Sequence, residues 1–317
     1  MKNFNFKSIS KFGLKLLLSS FLLYFIVKDV EFSDIFNAIK SSDFLTLIIA
    51  FSLHGVGLTI SALRWQGLLK SQQIDSKISY LIKSYLVATF FNHFMPSTVG
   101  GDSVRAYDSW KLGDNKAKAV AVVVVDRFMG LLTLLLFVIL STFFANEILN
   151  HIPSLWFWIS MLSIGAILII AFLLIPPLGL FSALKENGNK VIGKIGSILY
   201  KFGDACSKFK NDKSVLLKGM TWSILLQANV VLYYYLISVS LGINVPFFVF
   251  FLIIPLTIFI MMLPISMNGI GLRENALFFF FSFYGVIKSE AIAFAWIEYG
   301  MLLILGIIGG LVYLFRK

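Results

Sequence analysis

Long apolar stretches, separated by short charged connections, dominate the pattern of hydrophobic and polar positions along this 317-residue chain. A helix needs roughly 20 apolar residues to cross the hydrocarbon core of a bilayer. Six stretches approach or exceed this length, at about residues 11–28, 43–63, 117–145, 155–177, 219–241 and 291–315. The pattern therefore predicts an all-α polytopic membrane protein with about six crossing helices, in a single integral membrane domain over residues 1–317.

Loop charge assigns a side of the membrane to the connections. Lys and Arg outnumber Asp and Glu in the N-terminal tail and in residues 64–83 and 185–218, whereas acidic residues dominate residues 28–43. Because cytoplasmic loops carry an excess of basic residues, we expect the first three segments in the cytoplasm and residues 28–43 outside. The chain is then a multi-pass protein of the cell (inner) membrane with both termini in the cytoplasm.

Two further apolar segments, residues 78–95 and 247–263, do not cross the membrane in this scheme. Both ends of the first segment lie in the cytoplasm, and both ends of the second lie outside. A segment that begins and ends on the same side has to turn back within the membrane, which is tolerated where protein or a watery cavity covers the irregular backbone. We therefore expect re-entrant helical hairpins over residues 78–105 and 247–287.

The two hairpins divide the chain into halves, residues 11–145 and 219–315, which are joined by a connecting span at residues 155–177 and by residues 185–218. Because the hairpins enter from opposite sides, the halves are expected to form an inverted-topology internal repeat, as in many transporters. In residues 185–218, lysines alternate with apolar residues at helical spacing. This pattern predicts an amphipathic helix on the anionic cytoplasmic leaflet.

Composition agrees with a membrane domain and removes several classes of function. The chain is 58% apolar and 14% charged, whereas soluble domains carry roughly 25% charged residues. Its basic excess, 27 Lys and Arg against 16 Asp and Glu, lies in short connections and is not typical of a nucleic-acid-binding protein. The single cysteine, Cys206, excludes an intrachain disulfide, and three scattered histidines predict neither a metal site nor another cofactor.

The tips of the two expected hairpins share the motif P-x4-G-x3-R, from Pro96 to Arg105 and from Pro264 to Arg273. A proline ends the descending helix, glycines let backbone N–H groups turn inward as an anion-binding nest, and arginine matches phosphate oxygens. The motif therefore predicts a site for an anionic group.

We expect both motifs, and the crossing helices that follow them, to form one central site for a lipid head group, because charges at membrane depth are costly and usually functional. The candidate head-group residues are Pro96, Gly100, Gly101, Asp102, Arg105, Asp126, Arg127, Pro264, Asn268, Gly269, Gly271, Arg273, Glu274 and Glu298. At the same tips, the side chains of Asn92, His93 and Asn268 can satisfy backbone groups that the helices leave free.

A structural interpretation of the same charges stays open. Arg105 can pair with Asp102, which precedes it by three residues. Arg273 can pair with Glu298 or with Glu274. In that case the motifs only stabilise the fold of the hairpins, because an ion pair within the protein can compensate a buried charge just as a bound ligand can. Both roles can also coexist.

An Asp-Arg pair interrupts the apolar stretch at residues 117–145. We expect Asp126 to be a partner of a motif arginine and Arg127 to be a second phosphate contact, unless the helix starts late and both side chains reach the surface. Glu298 stands at a similar depth in the last apolar stretch. Its expected role is to neutralise Arg273, and proton coupling is an open alternative.

Three motifs in this order resemble the lysylphosphatidylglycerol synthase transmembrane family, also called flippase-like. They are Pro-Ser-x-x-Gly-Gly-Asp-x-x-Arg at 96–105, Asp-Arg-x-x-Gly at 126–130 and Gly-x-Gly-x-Arg-Glu at 269–274. The resemblance implies a membrane domain that moves lipids with modified head groups between leaflets. Bifunctional members carry a soluble aminoacyl-transferase domain after the membrane domain. Because this chain stops at Lys317, it resembles a stand-alone member without that activity.

We therefore expect a transporter that moves an anionic or modified-head-group phospholipid or glycolipid, with membrane lipids as its partners, no nucleic acid and no covalent chemistry. One alternative is an intramembrane transferase that uses a lipid-linked sugar, with Asp102, Asp126 or Glu298 as base or metal ligand. Another is a membrane anchor that holds a separate lipid-modifying synthase through residues 185–218.

Overall fold

The computed structural model describes residues 6–94, 100–113, 115–144, 146–186, 190–210, 212–263 and 265–316. Within these ranges the chain is all-helical and has no strand. Its helices are α1 Phe6–Val27, α2 Phe32–Lys40, α3 Phe44–Ser71, α4 Ile78–Phe94, α5 Gly100–Gly113, α6 Lys116–Ser141, α7 Asn146–His151, α8 Leu155–Leu174, α9 Leu178–Lys185, α10 Lys190–Lys210, α11 Lys213–Ser240, α12 Phe250–Met261, α13 Leu272–Ser282 and α14 Lys288–Phe315, with a short 3-10 helix at Phe247–Val249. Pro96 and Pro264 lie outside the described residues.

Four of these helices, α3, α6, α11 and α14, are long and apolar enough to cross a membrane. They correspond to four of the six predicted crossing stretches. The other two stretches fall in α1 and α8, where the described apolar portions are shorter, Leu17–Val27 and Leu155–Ala171. The prediction of an all-helical, multi-pass membrane protein is therefore confirmed, and the two shorter crossings stay predictions.

Helix α3 extends about two turns beyond the predicted end of its apolar stretch at residue 63. The side chains of Arg64, Trp65 and Leu68 are all buried in the structure. Trp65 and Leu68 belong to an apolar core that α3 shares with α6 and α10. The predicted connection at 64–83 therefore begins only after Ser71, because the first residues of that segment pack inside the helix bundle.

The helices of both expected hairpins are short. Helices α4 and α5 have 17 and 14 residues, and α12 and α13 have 12 and 11. At a rise of about 1.5 Å per residue, α4 spans roughly 25 Å, less than the roughly 30 Å of the hydrocarbon core. Helix α4 packs on α5, and α12 packs on α13. Helix α5 runs to Gly113, beyond the predicted boundary at residue 105, and α13 ends at Ser282.

The two halves of the chain interlock. Helix α3 runs along α11, α14 of the second half packs on α4 of the first, and α6 of the first half packs on α12 of the second. Helix α6 also contacts α10, as α14 contacts α2. Each expected hairpin therefore packs on a long helix of its own half and on one of the other half.

The contact between α14 and α4 is close because two consecutive glycines of α14 lie in it. A Cβ on Gly309 would overlap the main chain of Leu86. A Cβ on Gly310 would lie 2.9 Å from the ring of Phe90. Small residues let membrane helices approach in this way, so these glycines set the separation of α4 and α14.

The amphipathic helix predicted within residues 185–218 is α10. In the N-terminal part of the helix Ile192, Ile195 and Ile198 are 38–60% exposed, whereas in the C-terminal part Cys206 and Phe209 are buried in the core around α3 and α6. Helix α10 is thus held by the bundle at its C-terminal part, and its exposed isoleucines form a stripe free to contact lipid.

Candidate functional site

Asp126 of α6 is the centre of a buried charge cluster in the first half of the chain. Its side chain is 1% exposed. Its Oδ1 accepts a hydrogen bond from Nε of Arg64 at 2.7 Å, and its Oδ2 accepts one from Nη2 of Arg105 at 2.7 Å. The hydroxyl of Tyr85 donates to the same Oδ2 at 3.2 Å. One carboxylate therefore neutralises two arginines only in part.

Arg64 is the member of this cluster that the sequence analysis missed. It lies in α3 and also donates through Nη1 to the hydroxyl of Ser223 in α11, at 2.9 Å. In the sequence it stands next to a lysine-rich segment, so loop charge placed it in a cytoplasmic connection. The signal that could have identified it is the apolar spacing of Trp65, Leu68 and Leu69, which continues the buried face of the helix beyond it.

Arg105 of α5 is held by aromatic rings as well as by acids. Its guanidinium lies 4.6 Å from the ring centre of Trp65 and 4.3 Å from that of Tyr85. Stacking over an aromatic face stabilises a cation. Asp102 lies 3.7 Å away, as the structural interpretation expected. Nε of Arg105 is buried without a hydrogen-bond partner among the described residues, which leaves one donor of this motif arginine unsatisfied.

The exposed side of the cluster is formed by Asp102 and Arg127, which are ion-paired with each other. The side chain of Arg127 is 41% exposed and that of Asp102 is 23% exposed. Arg127 therefore connects the buried cluster with the protein surface. The three arginines of the cluster meet two aspartates, so the cluster carries an excess of one positive charge.

A second cluster, in the other half, is simpler. Arg273 of α13 pairs with Glu298 of α14 at 3.1 Å, and both side chains are at most 3% exposed. The Arg273 guanidinium lies 4.8 Å from the ring centre of Tyr299, and Tyr234 lies beside the Glu298 carboxylate. As with Arg105, Nε of Arg273 has no partner among the described residues. Glu274 is also buried and lies close enough to Arg273 to stabilise its charge, so here two acids face one arginine.

The two clusters are built on the same plan. In each, a motif arginine pairs with an acid of the following long helix and stacks on an aromatic ring. Asp126 and Glu298 stand at the same position, ten residues after the first residues of α6 and α14. The predicted site residues thus fall into two groups, one in each half.

The glycines of the second motif adopt the left-handed conformation for which glycine is favoured. Gly269 and Gly271 have φ of +77° and +81°, and Asn268 has φ of +53°. The N–H of Gly271 donates to Oε2 of Glu274 at 2.7 Å, so this donor is already used. A Cβ on Gly271 would lie 2.6 Å from Cβ of Leu22, which brings the tip against α1.

The glycines of the first motif begin α5. The N–H of Gly101 donates to Oδ1 of Asn92 at 2.7 Å, so an amide does satisfy a free backbone group at this tip. A Cβ on Gly101 would lie 2.6 Å from the carbonyl oxygen of Ala88. Gly101 is therefore required for close packing of α5 on α4. The neighbouring Gly100 is buried at the first position of α5.

His93 of α4 belongs to the first half but faces the second cluster. Its Nδ1 lies 2.8 Å from the carbonyl oxygen of Thr89, and its ring centre lies 6.0 Å from that of Tyr299. The hydrogen bond within α4 fixes the ring. Packing of α4 on α14 thus brings a residue of the first hairpin beside the aromatic partner of Arg273.

Comparison with known proteins gives one family and three relatives of similar length. The model of the lysylphosphatidylglycerol synthase TM region matches residues 13–310. One UPF0104 membrane protein of Methanothermobacter thermautotrophicus is 23% identical over 84% of this chain and 83% of its own length. A second UPF0104 membrane protein of the same organism is 25% identical over 80% of this chain and 78% of its own length. A UPF0104 membrane protein of Pyrococcus horikoshii is 23% identical over 80% of this chain and 81% of its own.

Proposed function

Because this chain belongs to the lysylphosphatidylglycerol synthase TM region family, we propose that it moves a lipid with an anionic or modified head group between the two leaflets. The observation that carries the proposal is the positive charge left over in the cluster around Asp126. A buried cation without a full counter-charge is costly. A lipid phosphate supplies the missing negative charge.

The arrangement around Asp126 supports a specific exchange of partners. When Arg105 turns from Asp126 to a phosphate, Arg64 stays on the carboxylate and keeps it neutralised. The guanidinium of Arg105 can then donate two parallel hydrogen bonds to oxygens of the phosphate. Arg127 is a second contact on the exposed side of the cluster, where a head group arrives first.

The second cluster does not allow the same exchange at the same cost. Arg273 is the single cation paired with Glu298 among the described residues, so its release leaves a buried carboxylate uncompensated. Removing one partner of a buried ion pair costs about 3–5 kcal/mol. Release of Arg273 therefore requires that Glu298 takes up a proton, which would couple this half to protons.

We propose that the chain is an inverted repeat with two re-entrant hairpins. Three observations support this: the hairpin helices are too short to cross, the two clusters share one plan, and the packing of α14 on α4 mirrors that of α6 on α12. Rocking of one repeat against the other would open a fixed site to each side in turn. In this arrangement both termini lie in the cytoplasm.

The proposal is tested with purified protein in vesicles that contain fluorescent phosphatidylglycerol in both leaflets. An impermeant reductant destroys the fluorescence of the outer leaflet only. With the protein present, the inner-leaflet probe should become accessible, faster than a probe with a neutral phosphatidylcholine head group. Continued protection of the inner-leaflet probe would contradict transport of this lipid class.

The same vesicles separate transport from catalysis. Mass spectrometry of the extracted lipid should show the phosphatidylglycerol probe chemically unchanged after it has moved. Consumption of a lipid-linked sugar donor added to these vesicles would instead favour the intramembrane transferase.

A further inference from the structure

A groove lies where α14 of the second half packs on α4 of the first, away from both charge clusters. It has a volume of about 270 Å³. Its lining consists of Lys83, Ile308, Leu311, Val312, Phe315 and Arg316. The apolar members are open to the surroundings, since Leu311 is 51% and Phe315 83% exposed. The groove along α14 is thus lined by four apolar side chains and two cations.

The two cations of the groove, Arg316 and Lys83, differ in whether an acid compensates their charge. Nη1 of Arg316 donates to Oδ2 of Asp108 at 2.8 Å, and its guanidinium lies 4.3 Å from the ring centre of Tyr80. The hydroxyl of Ser84 donates to the same oxygen of Asp108, so the Arg316 charge is compensated. Lys83 is exposed and makes no ion pair within the described part of the chain. One uncompensated cation, Lys83, therefore lines the groove.

The corresponding groove of the other half provides a comparison within the molecule. It lies between α6 and the start of α12 and has a volume of about 210 Å³. It is lined by Phe137, Leu140, Ser141, Phe144, Phe248 and Phe251, without a charge. When the two P-x4-G-x3-R motifs are aligned, Lys83 and Phe251 occupy the same position, 13 residues before the proline. The cation is thus specific to the groove between α4 and α14.

We infer that the groove between α4 and α14 binds an anionic phospholipid of the surrounding bilayer. Its phosphate contacts Lys83, and one acyl chain lies along Ile308, Leu311 and Phe315. Basic pockets between membrane helices bind anionic head groups in this way, and the apolar lining favours a hydrocarbon chain over water. Binding in this groove does not require that the lipid crosses the membrane, so the inference goes beyond the proposed transport.

The first experiment measures which lipid the protein retains. The full chain is placed in nanodiscs of equal parts phosphatidylglycerol and phosphatidylcholine, and the bound lipids are counted by native mass spectrometry. Wild type should retain phosphatidylglycerol preferentially. Lys83→Gln should lower that preference about fivefold, since one Lys near a membrane surface contributes roughly 1 kcal/mol. Lys70→Gln, at an exposed lysine near the end of α3, is the matched control and should change nothing.

The second experiment locates the lipid. A photoreactive benzophenone side chain at Leu311 should crosslink phosphatidylglycerol in preference to phosphatidylcholine, and Lys83→Gln should abolish the preference. The same side chain at Phe251, in the uncharged groove, should crosslink both lipids equally. Equal crosslinking of both lipids at Leu311, or equal retention by Lys83→Gln and wild type, would overturn the inference. Neither readout depends on lipid movement, so both remain decisive if transport is not observed.

Discussion

At the scale of single residues, the decisive feature is that one buried aspartate serves two arginines. A buried ion pair is costly to desolvate, and removal of one partner leaves a charge that the interior cannot solvate. With Arg64 and Arg105 both on Asp126, one arginine can leave without creating such a charge. Glu298 pairs with Arg273 but with no second cation among the described residues.

If Arg105 moves from Asp126 to a lipid phosphate while Arg64 stays on Asp126, substitution by lysine should affect transport more at Arg105 than at Arg64. Arg105→Lys keeps the charge but loses the planar fork that binds phosphate and stacks on Trp65 and Tyr85. We expect lipid transport to slow by about tenfold, because hydrogen bonds to charged groups contribute roughly 1.5–3 kcal/mol. Arg64→Lys still neutralises Asp126 and should slow transport less. The vesicle assay ranks the two variants, and equal rates would argue against Arg105 as the phosphate ligand.

Loss of the shared carboxylate is predicted to affect folding. Asp126→Asn leaves Arg64 buried without a counter-charge and leaves Arg105 with only the more distant Asp102, at a cost of about 3–5 kcal/mol. Asp102→Asn removes a carboxylate that is 23% exposed and should cost about 1 kcal/mol or less, as for other exposed pairs. Thermal unfolding in detergent measures both. A transition temperature for Asp126→Asn equal to that of Asp102→Asn would contradict the central role of Asp126.

Cys206 offers a test outside the membrane-spanning helices. Burial in α10 raises the pKa of the Cys206 thiol to about 12, so at pH 8 the thiol stays protonated in the folded protein, whereas an unfolded cysteine has a pKa of roughly 8.5. Because the thiolate is the nucleophile, alkylation by iodoacetamide should be slow until the protein unfolds. Mass spectrometry of alkylated samples follows the reaction. Rapid alkylation of folded protein would show that α10 does not pack as described.

At the scale of elements, the contact of α4 with α14 holds the two halves together. Gly309→Ala introduces a Cβ that overlaps the main chain of Leu86. We expect destabilisation of about 1–3 kcal/mol, typical of overpacking. Gly300→Ala in the same helix is the control, because a Cβ there meets nothing within 4 Å and alanine favours a helix more than glycine does.

Thermal unfolding of the two glycine variants distinguishes a packing effect from a general effect of alanine. Gly309→Ala should unfold at a lower temperature than the parent, whereas Gly300→Ala should match or exceed it. If both variants behave alike, α4 and α14 do not approach as closely as the structure places them.

At the scale of the whole molecule, loop charge predicts the orientation of the chain. In a Cys206→Ser background, Ser33→Cys in the acidic connection should react with a membrane-impermeant maleimide in intact cells. Lys70→Cys, at the end of α3, should react only after the membrane is permeabilised. Both positions are exposed in the structure, so access to the reagent alone decides the result. The reverse pattern of labelling would invert the orientation proposed for the chain.

The amino-acid sequence by itself determined the helical, membrane-embedded class, because apolar runs of bilayer length have few other stable solutions. It also indicated the two motif arginines and their acidic partners, since charges within apolar stretches must be paired. These signals are local: each is readable from the spacing of residues within one or two segments.

Only the tertiary structure decided that Arg64 belongs to the cluster. Its partners Asp126 and Ser223 are 62 and 159 residues away along the chain, and they meet it because α3 packs against both α6 and α11. The apolar spacing of Trp65, Leu68 and Leu69 can place Arg64 within the helix, but no local pattern shows which side chains of other helices it meets. The same packing produced two clusters of unequal charge from two copies of one motif, because the partners that each arginine finds come from other helices.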